Sequence, residues 1–142
     1  MITNERQYQI SKAQAAKFRL AIDAPDVHIG ILHPRARKAL RDAAQSQLDD
    51  LLAQVAEYEQ LRGGQLTSIT AESIADLAPA LIRARIVRNW TQRELAEKLA
   101  VAEQQVQRYE ATQYRGVSVE RLQAVADALR LRVREVITFE PL

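Results

Sequence analysis

The chain contains no cysteine, which excludes disulfides, thiolate metal sites and a cysteine nucleophile, and permits a reducing compartment. Glycine and proline number only four each, and no stretch of β-branched residues alternates with polar ones over a strand's length, so a fold built of strands and tight turns is not expected. No run approaches the ~20 apolar residues of a membrane span, and the opening MITNERQYQISKAQ lacks the apolar core of a secretion signal. The expected setting is therefore soluble and cytoplasmic, with no membrane partner. Charge of one sign is lacking too: 20 Lys and Arg face 18 Asp and Glu, for a net charge of +2. That balance alone does not imply nucleic acid, although the mild positive excess is C-terminal: residues 1–76 carry a net −1 and residues 77–142 a net +3.

Groups suited to catalysis are also scarce. His28 and His33, in VHIGILH, sit five apart on a loop with no matching ligand set, so no metal site is expected. Asp49 and Asp50 are adjacent on a helical stretch and point about 100° apart, into water. Ser73 and Ser118 lack a nearby base and read as caps or linker. The one paired glycine, in RGGQ, stops a helix and cradles no phosphate. An enzyme is the least expected class, and no cofactor is implied.

What is present is helix-forming: Ala, Leu, Gln, Glu and Arg dominate. Ser11 followed by Gln14 forms a capping-box pattern, predicting a helix over 11–23 that ends before Pro25. Pro34 suits a first turn, and nothing breaks the chain from there to Leu61, predicting one long helix of roughly 42 Å. Along it Leu48, Leu51, Val55 and Tyr58 recur at helical spacing, a face that needs a partner. A helix over 11–23 covers only about half of that face, so the remainder predicts a homodimer through these four residues or packing against the C-terminal half. An internal hairpin is the alternative. The Gly-, Ser- and Thr-rich GGQLTSITAES is the best boundary. The organisation expected is a helical hairpin over 1–64 for dimerisation or partner binding, a linker over 65–76, and a second domain over 77–142.

In the second half, helices are expected near 77–88, 91–99, 102–111 and 119–129. Pro79 is tolerable only in an opening turn, Ser118 suits an N-cap, and LRLRVREVITF is ambiguous between a short helix and an extended segment. Thr91 and Glu94 form a second capping box. Leu95, Ala96 and Leu99 face inward, a short turn follows, and Val106 and Tyr109 point back to them. The small side chain of Ala96 lets the next helix approach at the steep angle of a helix-turn-helix. Trp90, just before the cap, packs on the core or on Leu95. Elimination leaves Glu103, Gln104, Gln107, Arg108 and Ala111 outward, with Gln105 at the flank. Gln can pair with adenine and Arg with guanine through two bonds each, so this face suits a DNA major groove; a plain solvated face is the alternative.

On these residues, LIRARIVRNWTQRELAEKLAVAEQQVQRYE with VSVERLQAVADALRL resembles the five-helix DNA-binding domain of lambda-repressor-like, Xre-family regulators over residues 77–130. The fold class expected is thus all-α, a helical hairpin with one long helix followed by that domain. Gln92, Ala96 and Val106 fall on the family's pattern, and the resemblance implies an ion pair between Arg85 and Glu110. Ala100, Ala102 and Arg130 depart from it, standing where Gly, Ser and Gly are common; Ala100 requires either a left-handed residue or a different turn. The N-terminal segment resembles that of HigA-like antitoxins, which implies dimerisation and a toxin partner.

The function expected is a sequence-specific repressor that binds double-stranded DNA as a dimer on a pseudo-palindromic operator. Gln104, Gln107, Arg108 and Glu103 would meet bases, while Gln92, Arg93, Arg88 and Arg115 would hold the DNA backbone. The rival is a protein-binding module in which the helix-turn-helix serves as scaffold.

Overall fold

The structure, a computed structural model, describes residues 1–24 and 33–141. The expected all-α architecture is the one found, with six helices and no strand among the described residues. The chain divides into two compact units, Met1–Gly63 and Gly64–Leu142.

The first unit is a pair of antiparallel helices, α1 (Glu5–Asp23) and α2 (Pro34–Arg62). α1 begins at Glu5, well before the Ser11 of the predicted start. Asn4 is the cap, its Oδ1 accepting the Gln7 N–H at 2.9 Å, while Gln7 Oε1 accepts from the Thr3 N–H at 2.9 Å and the Thr3 hydroxyl at 3.0 Å. Glu5 adds a carboxylate to the positive end of the helix dipole. Ser11 consequently lies inside the helix. α2 follows the prediction, with Pro34 in its first turn and His33 Nδ1 accepting the Arg35 N–H.

The longer α1 changes what the long helix needs. Leu48, Val55 and Tyr58 are buried and Leu51 half-buried, in contact with α1 of the same chain. The face assigned to a second copy is thus covered internally: Tyr8, absent from a helix over 11–23, sets its ring 5.2 Å from that of Tyr58 and donates its hydroxyl to Glu59. An exposed Arg62–Glu5 pair at 2.6 Å joins the same ends and contributes little, being screened by water.

The second unit packs α3 (Ile74–Val87), α4 (Gln92–Leu99), α5 (Glu103–Ala111) and α6 (Val119–Ala128) around Leu81, Ile82, Leu95, Val106, Val125 and Leu129. α3 starts at Ile74, so Pro79 lies inside the helix rather than in its opening turn, leaving the Ala75 carbonyl without its usual N–H partner. Four helices stand where the resemblance implies five: residues 131–141 carry no regular structure. Ser118 caps α6, its Oγ accepting the Arg121 N–H at 3.2 Å.

All four helices end alike. In each, a residue with φ between 51° and 55° follows or nearly follows the helix: Asn89, Ala100, Gln113 and Arg130. The N–H groups of the next residues, Trp90, Val101, Tyr114 and Leu131, reach back to carbonyls of Arg85, Ala96, Tyr109 and Ala126. This is the Schellman closure, which usually recruits glycine; here it is made without one.

Candidate nucleic-acid interface

The site is built on α4, the turn after it, and α5. Thr91 Oγ1 accepts the Glu94 N–H at 3.1 Å, and Glu94 Oε2 accepts from the Thr91 N–H at 2.6 Å and its hydroxyl at 2.8 Å. Both halves of the capping box are therefore closed. The bond from the Thr91 backbone, then that from its hydroxyl, holds the Glu94 carboxyl below its ordinary pKa. Ala100 adopts the left-handed conformation (φ 52°, ψ 43°), the first of the two options its departure from glycine left open. The turn thus retains the glycine geometry with a methyl group on it.

Beyond the turn, Val106 is fully buried against Leu95 and Ala96, with Leu99 and Tyr109 half-buried. Glu103, Gln104, Gln107, Arg108 and Ala111 are exposed together on the opposite side of α5, and Gln105 is half-buried between the two faces. Glu103 Oε1 accepts from Gln107 Nε2 at 3.2 Å. No side chain caps the N-terminus of α5, where Ala102 stands, so that helix end presents its first-turn N–H groups without side-chain competition.

Orientation is fixed from within. Arg85 donates from Nε to Glu110 Oε1 at 2.6 Å and from Nη2 to Oε2 at 2.7 Å, and both side chains are buried. Arg85 Nη1 also bonds the Trp90 carbonyl at 2.6 Å. Two parallel charge-assisted bonds of this kind fix direction as well as distance, so α3 sets the rotation of α5 about its own axis.

Two of the four cations and amides assigned to the DNA backbone are engaged elsewhere. Gln92 is buried, and its Nε2 donates to Glu110 Oε2 at 2.8 Å, making it a third support for that carboxylate rather than a surface group. Arg88 is exposed, but its Nε and Nη2 bond the carbonyls of Leu129 and Arg130 at 3.2 and 3.3 Å, closing the C-terminus of α6. Arg93 and Arg115 remain on the surface, Arg93 in an exposed pair with Glu97 at 3.2 Å.

Tyr114 is a structural contributor that sequence reasoning passed over. It lies in the turn after α5 with φ of 56°, is buried, and stacks on Tyr109 with centroids 5.7 Å apart. Its hydroxyl has no hydrogen-bond partner among the described residues. Burial, then the charge of Glu110, pushes its pKa far above that of a free tyrosine. The ring pair stiffens the end of α5; only helical spacing was available as a sequence signal, and this turn is not helical.

Other candidate groups fall away from the site. His33 caps α2, and His28 lies outside the described residues. Asp49 and Asp50 are exposed, and Ser73 bonds Asp76. Among the described residues no helix is long and apolar enough to cross a membrane.

Residues 81–136 match the HTH_3 helix-turn-helix family, of Xre/Cro/C1 type. No curated protein and no solved structure matches the chain. The second unit therefore holds a helix-turn-helix domain, of a DNA-binding kind typical of regulators that are not enzymes, and such a domain suggests DNA as a partner.

Proposed function

We propose that the protein is a sequence-specific transcriptional repressor that binds a pseudo-palindromic operator as a homodimer. The carrying observation is the exposed row of Gln104, Gln107 and Arg108 on a helix whose rotation is locked by the buried Arg85–Glu110 pair. Placed in a major groove, the two glutamines offer a donor and an acceptor to adenine, and Arg108 offers two donors to guanine. Glu103 orients Gln107 and can accept from cytosine. Arg93 and Arg115 supply phosphate contacts beside the groove, a role from which Gln92 and Arg88 are withdrawn by their bonds to Glu110 and to the end of α6.

Selection of bound duplexes from a random pool supplies the operator. On it, Arg108→Ala is expected to lose about 1–3 kcal/mol and relax preference at one base pair, whereas Arg93→Ala weakens all sequences alike. A footprint and preference unchanged by Arg108→Ala would remove that residue from base reading. The rival, a protein-binding module with a scaffold helix-turn-helix, is separated by titrating random duplex at two salt concentrations. A DNA binder loses affinity steeply with salt.

The antitoxin role belongs to the same reading. Its support is the N-terminal resemblance together with Leu20 and Leu40, which α1 and α2 leave exposed at 72% and 57%. Co-expression with a small adjacent reading frame tests it: toxicity of that frame unrelieved by this chain would reject the role.

A further inference from the structure

The chain beyond α6 alternates. From Leu129 onward the sequence runs LRLRVREVITFE, an alternation carried by leucine as much as by β-branched residues. In extended backbone it places Leu131, Val133, Glu135, Ile137 and Phe139 on one side, and Arg132, Arg134, Val136, Thr138 and Glu140 on the other. Among the described residues, 132–141 make no backbone hydrogen bond. Val136, Ile137 and Phe139 are 87%, 85% and 97% exposed. A segment whose N–H and C=O groups are free and whose apolar side chains are exposed becomes, once extended, a template for another strand. Residues from both sides of the alternation, Leu131, Val133, Val136 and Ile137 among them, line a groove of about 760 Å³ with Leu66, Ile74 and Leu77 of the same unit. That groove supplies the support a bare two-stranded ribbon needs.

We propose that residues 132–140 pair antiparallel with the same residues of a second copy, across a two-fold axis at Val136. Charge selects both the occupant and the register. With Val136 opposite its counterpart, Arg132 faces Glu140, Val133 faces Phe139, Arg134 faces Thr138 and Glu135 faces Ile137. No like charges oppose one another, and an ion pair closes each end of the ladder. A centre at Glu135 or Arg134 sets that residue against itself, and one at Val133 sets Arg132 against Arg134. A centre at Ile137 shortens the ladder, because Pro141 then stands opposite Val133 and cannot donate. The ribbon replaces the α2 face as the dimer contact. It rests on the proposed function only for its purpose, the two-fold that a pseudo-palindromic operator demands.

A chain without cysteine gives single-cysteine variants a clean background. Val136→Cys, at micromolar protein without DNA, is expected to give a covalent dimer with a short bis-maleimide, and Leu20→Cys, comparably exposed on α1, is expected not to. Crosslinking no greater at Val136 than at Leu20, or peaking instead at Glu135→Cys or Ile137→Cys, overturns the proposal. Val136→Asp is expected to halve the sedimenting mass while leaving the far-ultraviolet circular dichroism unchanged, and a dimer that survives it also overturns the proposal. Half-site DNA binding by Val136→Asp keeps the two readings apart. A covalent Val136→Cys dimer that binds no duplex at low salt would reject DNA recognition and leave the ribbon standing.

Discussion

Replacing Ala100 by glycine is expected to stabilise the helix-turn-helix domain. Ala100 is exposed and left-handed, and its N–H and that of Val101 close the end of α4 on the carbonyls of Glu97 and Ala96. A Cβ in this conformation crowds the following carbonyl at about 1–2 kcal/mol. Glycine removes that crowding but gives the unfolded chain more freedom, an opposing effect of about 0.4–1 kcal/mol. The balance favours glycine by roughly 0.5–1 kcal/mol. A domain of this size shifts its midpoint by roughly 4–8 °C per kcal/mol, so the thermal transition should rise by roughly 2–8 °C. Circular dichroism during heating and in urea measures it, with the urea slope unchanged because the buried surface is the same. Ala100→Val, which adds a branched Cβ to the same conformation, should move the midpoint down. An Ala100→Gly variant that melts below the parent would refute the reasoning, since glycine can lose here only if the left-handed geometry is not the one adopted.

Glu110→Ala strands Arg85, buried at the centre of the domain, and should destabilise it by about 3–5 kcal/mol in urea, with part of the loss recovered in the double variant Arg85→Met, Glu110→Leu. Tyr114→Phe removes a buried hydroxyl that has no partner while keeping the ring on Tyr109, and is expected to raise stability by about 1 kcal/mol; a clear loss would mean the hydroxyl is satisfied. Because the Glu94 pKa is lowered on folding, its contribution is fully present above the ordinary carboxylate pKa and fades as pH falls through the lowered value. The stability gap between the parent chain and Thr91→Ala, followed by urea titration from pH 7 downward, should therefore narrow only in acid; a gap independent of pH would remove Glu94 from the cap.

What the sequence made legible was governed by short-range rules. The Thr91–Glu94 box, the Ser118 cap and Pro34 in a first turn each depend on three or four neighbouring residues. The start of α1 shows where such rules give two answers. Ser11 with Gln14 and Asn4 with Gln7 both satisfy a cap pattern, and only burial of Tyr8 against Tyr58 decides between them. That one choice carried through to assembly, because a helix beginning at Ser11 leaves the end of α2 bare and makes a second copy look necessary. The engagement of Gln92 and Arg88 within the domain was hidden for a different reason. Side chains of this length reach several partners, and which they take depends on groups 18 and 41 residues away, at Glu110 and Leu129.

The same distinction separates the three proposed readers on α5. Gln104 and Arg108 make no side-chain hydrogen bond among the described residues, so each must be ordered when it meets a base, at about 0.5–1.5 kcal/mol apiece. Gln107 is held by Glu103 through one Nε2 hydrogen, which leaves its other hydrogen and its Oε1 for the two edges that adenine presents. An exposed bond of 3.2 Å adds little to folding stability, but it chooses which way round the amide stands before DNA arrives. On the proposed reading, the carboxylate that weakens attraction to phosphate sharpens the choice of base, so that an acidic residue on this face of α5 would serve selectivity at the expense of affinity.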